Sequence, residues 1–191
     1  MKFRLFITCL LTFVALGFEA CRNQKGHSGE KPVSSVSTEL RWYSFADAFK
    51  EADKKPKKFF IDVYTDWCGW CKKMDANTFS HPVIIRKLNE NFYPIKFDAE
   101  SKDTLVINGI TYKSTFPTQA RSTHEFAIAL LGNRLSYPTT LYLDESFNLL
   151  GPVPGYLDAK TMEAILDYYA GEHYKHTPWE QFRLEHKGEI K

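Results

Sequence analysis

Phe59-Phe60-Ile61-Asp62-Val63-Tyr64-Thr65-Asp66-Trp67-Cys68-Gly69-Trp70-Cys71-Lys72-Lys73-Met74 decides how the rest of the chain is read. Phe59 to Tyr64 is an aromatic and β-branched run with one acid, Asp62, inside it. That composition predicts a central strand covered on both faces. Gly69 loosens the turn that follows, and Lys72-Lys73-Met74-Asp75-Ala76 has helix-forming composition. The predicted helix therefore opens at Cys68. Unpaired main-chain N–H groups and the helix dipole at such a start favour the thiolate over the thiol. The thiolate is the species that attacks a disulfide. Cys71 lies one turn along and is placed to close a ring with Cys68, so the pair is built to carry two electrons.

The pattern Asp62-x-Tyr64-x-Asp66-Trp67-Cys68-x-x-Cys71-Lys72 resembles the thioredoxin superfamily. It is most similar to the thioredoxin-like C-terminal domains of bacterial transmembrane thiol:disulfide interchange reductases, and to the small exported proteins related to them. The resemblance runs from about Trp42 to Tyr169. Asp62 stands where that family has a buried acid beneath the active site. Tyr137-Pro138-Thr139-Thr140, leading into Leu141-Tyr142-Leu143, resembles its cis-proline loop. The implied fold is α/β, a thioredoxin fold with a central mixed β-sheet flanked by helices.

The implied activity is thiol:disulfide exchange. Cys68 attacks a protein disulfide, Cys71 resolves the mixed disulfide, and Asp62, if buried, has the raised pKa that a base for Cys71 needs. Trp67 and Trp70 would form an apolar lip around the sulfurs, with Gly69 between them. Tyr137 and Pro138 would offer main-chain groups to an extended substrate peptide. The expected partners are protein disulfides and an upstream thiol reductant, and the expected state is a monomer. No cofactor beyond the Cys68/Cys71 pair is expected. The Gly69-Trp70 pair departs from the family's common Gly-Pro pair, so the direction of electron flow stays open. An oxidant or isomerase is the alternative within redox chemistry. A thioredoxin-fold binding or chaperone module is the alternative outside it.

Composition narrows the classes. The chain has 191 residues, 43% hydrophobic and 25% charged, which suits one globular domain with appendages. A net charge of +2 does not point to nucleic acid. Lys2 and Arg4 precede an apolar run from Leu5 to Phe18, the layout of a secretory signal over residues 1–20. Ala20-Cys21 after that run resembles the lipobox of bacterial lipoproteins. It implies a lipidated Cys21, a membrane anchor and a periplasmic domain. Cleavage after Ala15-Leu16-Gly17 is the competing reading. Residues 21–39 are polar and rich in Ser, Gly and Lys, as a flexible tether would be, which leaves a thioredoxin-like domain over 40–191. Of the four cysteines, Cys9 leaves with the signal, so only Cys68 and Cys71 remain in the domain. A tetrahedral metal site is not expected, because no second ligand pair accompanies them.

Leu40 to Tyr43 predicts a short first strand, and Ser44 caps a helix to about Lys54. Ser80 is the candidate cap of a helix that has Pro82 in its first turn; His81 reads as a cap-region surface residue rather than a base. Tyr93 to Phe97 predicts the next strand. An insertion of about 99–133 precedes the proline loop. Within it, Asn108-Gly109 between Thr104–Ile107 and Ile110–Lys113 signals a hairpin, and Ser122-Thr123 caps a helix. The insertion either carries specificity or decorates a far edge of the sheet. Thr139 to Asp144 and Leu149 to Val153 predict two strands, the second an edge strand that tolerates Pro152 and Pro154. Asp158 caps a helix carrying Met162, Ile165, Leu166 and Tyr169, and a short helix follows from Thr177 to about His186.

Overall fold

The computed structural model describes residues 38–132 and 134–191. The predicted signal, Cys21 and the tether as far as residue 37 lie outside the described residues.

Helix α1 (Phe45–Lys54) starts on Ser44, whose hydroxyl accepts the Asp47 N–H, and it buries Phe45 and Ala48. Strand β1 (Lys58–Tyr64) is buried along nearly its whole length. Helix α2 (Gly69–Asn77) and helix α3 (Pro82–Asn91) then cross over to β2 (Phe92–Asp98), which pairs parallel to β1 with Phe59 opposite Tyr93. A parallel pair needs such a crossover, because a tight turn cannot reverse the chain twice. The insertion follows as β3 (Leu105–Ile107), β4 (Ile110–Tyr112) and α4 (Glu125–Leu131). Strands β5 (Thr139–Leu143) and β6 (Leu149–Pro154) return antiparallel, giving the order β2-β1-β5-β6. Helix α5 (Ala159–Ala170), a 3-10 turn (His173–Lys175) and α6 (Trp179–Glu185) complete the domain. This is the mixed sheet flanked by helices that the Cys68 stretch implied.

Strand periodicity divides the core into two layers. Phe59, Ile61 and Val63 face α1 and α4, packing with Phe45, Ala48, Phe126 and Ala127. Phe60 points the other way, onto Met74 of α2, Leu88 of α3 and Met162 and Leu166 of α5. Each buried Phe, Ile, Val, Leu or Met side chain among them contributes about 1.5–3 kcal/mol on burial, more than an exposed ion pair gives. These two layers therefore fix where β1 delivers the cysteines.

Three local expectations are corrected. Leu40–Tyr43 forms a single parallel bridge, Tyr43 with Ile95, rather than a strand. Tyr43 donates its N–H to the Pro94 carbonyl at 2.8 Å. The ladder cannot grow back towards Leu40, because Pro94 has no N–H to return. The cap of α3 is His81, not Ser80: its Nδ1 accepts the Val83 N–H at 3.3 Å, while Ser80 donates to the Ala76 carbonyl. The cap of α4 is likewise His124, not Ser122 or Thr123. In a His cap, Nδ1 stands about where an Asn carbonyl oxygen would, so the imidazole serves as an Asn-like acceptor.

The insertion is part of the core. Ile107, Phe126 and Ala127 are buried in the α1 layer. Asn108 and Gly109 take φ of 51° and 78°, the left-handed pair that the hairpin turn requires.

Candidate active site

β1 sets the site from below. Asp62 shares the face of Phe60, the face covered by α2, and is 1% exposed. Lys96 is its register partner on β2, with Nζ 3.4 Å from Asp62 Oδ2. The same ammonium pairs with Asp75 of α2 and lies over the rings of Trp42, Tyr64 and Phe79 at 5.1, 5.1 and 5.4 Å. Asp75 follows Cys71 by one helical turn, so both lie on one side of α2. An Asp62–Lys96–Asp75 chain thus runs beneath the helix face that carries Cys71.

Burial pushes Asp62 up to about 7; Lys96 pulls against that shift, and the negative charge of Asp75 adds to it. Asp62 Oδ1 and Thr65 Oγ1 are buried with no hydrogen-bond partner among the described residues. The result is a carboxyl that holds its proton into the neutral range with one oxygen uncommitted.

Cys68 and Cys71 form a disulfide. Cys68 is the N-cap of α2, and its Sγ accepts the Cys71 N–H at 3.1 Å. Both cysteines are buried, whereas Trp67 and Trp70 are 51% and 57% exposed. Gly69 opens α2, and a side chain there would meet nothing within 4 Å.

Each tryptophan is held by a different part of the chain. Trp70 lies against Tyr156 with centroids 5.4 Å apart, and Lys73 Nζ sits 4.7 Å from the Trp70 ring. Trp67 meets the Tyr137 ring edge to face at 6.1 Å and donates its Nε1–H to Glu100 Oε2 at 3.1 Å. The Arg121 guanidinium stands 5.4 Å over the Trp67 ring. The Tyr137-Pro138 peptide is cis. Pro138 is buried, and its carbonyl already accepts the Gly155 N–H at 2.8 Å. The Ser136 carbonyl accepts the Thr139 hydroxyl at 2.7 Å.

The structure therefore joins Trp67, Gly69, Trp70 and Tyr137 in one surface over the buried Cys68–Cys71 disulfide. Pro138 lies buried beside that surface and Asp62 beneath it. His81 is occupied in capping α3. Sequence reasoning missed Lys96, Asp75, Tyr156, Glu100 and Arg121. Lys96 had a signal, since it is the one charge within the apolar Phe92–Phe97 run, as Asp62 is within β1. Arg121 had none, because only the folded loop brings it to Trp67.

The chain is similar to known proteins in sequence and in fold. Spermatogenesis-associated protein 20 of Mus musculus is 37% identical over 62 residues, which is 32% of this chain and 8% of that protein. The thiol:disulfide interchange protein DsbD of Citrobacter koseri is 28% identical over 156 residues, 80% of this chain and 22% of that protein. The chain thus spans a small part of the curated relatives it matches. Among solved structures, the DsbH oxidoreductase superposes with a TM-score of 0.53 at 14% identity, over 76% of this chain and 94% of that one. A thioredoxin-fold protein from Helicobacter pylori superposes at 0.50 and 13% identity, over 68% and 79% of the two chains. Both are likenesses of fold. The thioredoxin-like domain family model matches residues 45–170, and the chain belongs to that family.

Proposed function

We propose that this protein reduces protein disulfides through the Cys68/Cys71 pair. The observation that carries the reading is the pair's placement, with Cys68 capping α2 and Asp62 buried under the helix. In the reduced protein, the Cys68 thiolate attacks one substrate sulfur. The substrate S–S bond breaks, a mixed disulfide forms and one substrate thiolate leaves. Cys71 passes its proton to Asp62 and attacks Cys68 Sγ. This releases the second substrate thiolate and closes the Cys68–Cys71 bond. Two electrons have moved from protein to substrate, and an external dithiol restores the starting state. The main-chain donor at Cys68 Sγ and the helix start favour the attacking thiolate. A carboxyl near 7 suits proton exchange with a thiol at neutral pH.

The test is reduction of insulin by dithiothreitol with catalytic protein. Wild type should accelerate precipitation of the insulin B chain, and Cys68→Ser should abolish the acceleration. If wild type has no effect, the fold serves binding rather than exchange.

We further propose export, with residues 1–20 as the signal and Cys21 as the lipid-bearing first residue. The support is the basic start, the apolar run and Ala20-Cys21.

A further inference from the structure

We infer that the insertion over residues 99–132 is a substrate-selecting wall for polypeptide disulfides, and that Arg121 is the specificity-determining residue through which it acts. The inference rests on the reading of the Cys68/Cys71 pair as a disulfide reductant and names the class of disulfide it takes.

Three residues of the insertion face the substrate side of the site. Glu100, where the insertion begins, accepts the Trp67 Nε1–H at 3.1 Å. Arg121 covers the Trp67 ring at 5.4 Å. Burial pushes the phenol of Tyr137, the residue before the cis proline, up, and the nearby Thr123 side chain pulls the other way. The insertion thus holds Trp67, which in turn meets Tyr137 on the same flank of the disulfide. The opposite flank, Trp70 with Tyr156, is built from the α2 stretch and the loop after β6. Only one wall of the site therefore comes from the added sequence.

The loop that carries Arg121 is braced internally. Ser122, 2% exposed, accepts the Phe116 N–H at 2.6 Å and bonds the hydroxyls of Ser114 and Thr115 at 3.1 and 3.0 Å. Lys102 donates to the Gln119 carbonyl at 2.8 Å. His124, fully buried, donates its N–H to the Ala99 carbonyl at 2.7 Å. A loop tied this way holds an exposed side chain in one place at low entropic cost on binding.

A cation fixed over an exposed indole holds the ring face in position and adds a charge at the rim. Such a wall meets residues flanking a scissile disulfide, several ångströms from the sulfurs. A small disulfide reaches Cys68 without touching it. Arg121 therefore contributes binding that is the same in ground and transition states, and its loss raises KM while kcat is kept.

The test compares insulin with glutathione disulfide as substrates, with dithiothreitol as the reductant, for wild type, Arg121→Ala and Arg121→Lys. Arg121 is exposed, so these variants leave the core intact. Arg121→Ala should raise KM for insulin about two- to fivefold, the worth of one exposed cation–π contact, at unchanged kcat. Its kcat/KM for glutathione disulfide should stay at the wild-type value, and Arg121→Lys should recover part of the loss on insulin. Equal losses on both substrates, or none on insulin, overturn the wall. Wild type inactive on both substrates fails the redox reading itself, and the wall falls with it.

Discussion

Asp62 is the residue on which the chemistry and the stability of this domain meet. Its carboxyl is pushed up to about 7 in the folded protein by burial, against an ordinary value near 4 in the unfolded chain. Between those two values the folded form holds a proton that the unfolded form has released. Stability therefore falls as pH rises from about 4 to about 7 and levels off above that. Asp62→Asn removes this penalty. The oxidised variant should be more stable than wild type by roughly 1–3 kcal/mol at pH 8, with the advantage shrinking towards pH 4. Chemical denaturation at several pH values reads it, and an advantage that does not change with pH would contradict the assignment. The same substitution should slow insulin reduction across neutral pH, since the proposed mechanism has Asp62 accept the Cys71 proton. At this scale the sequence showed Asp62, Cys68, Cys71 and Pro138 as odd residues in regular surroundings. It did not show Lys96 or Asp75 as their neighbours, because strand register and helix phase exist only in the fold.

Elements were legible wherever local chemistry alone decides them. Ser44 and Asp158 cap α1 and α5 as composition suggested, and Asn108-Gly109 turns the hairpin. The misplaced caps share one cause. His81 and His124 cap through Nδ1, a role for which the neighbouring Ser80, Ser122 and Thr123 are the stronger candidates in sequence, although His81 reads there as a cap-region residue. His124 shows what such a cap holds together. Nδ1 accepts the Phe126 N–H at 3.1 Å, so Nε2 carries the proton and donates it to the Asp103 carbonyl at 2.9 Å. One ring thus joins α4 to the start of the insertion. His124→Ala should cost about 1–3 kcal/mol through the lost cap and an unpaired buried carbonyl. The denaturant midpoint measures it, and a variant as stable as wild type would remove His124 from the frame of the wall.

At the scale of the whole molecule, the proposed export signal and Cys21 precede this domain in the sequence. Cys21→Ser should move the protein from the detergent phase to the aqueous phase on Triton X-114 partition, with insulin reduction unchanged. An aqueous wild-type protein would refute the anchor. The fold class was readable in full because three separated signals, at Asp62, at Cys68 to Cys71 and at Pro138, fall in one order. The role of the insertion was not readable, since it depends on which surface residues 99–132 pack against. The central claim is that Cys68 and Cys71 form a reducing pair, and equilibration of that pair against thiol/disulfide buffers tests it most directly. A two-electron equilibrium with a potential near the thioredoxin value of about −270 mV is the predicted result, and a value near −120 mV, or no equilibration at all, would contradict it.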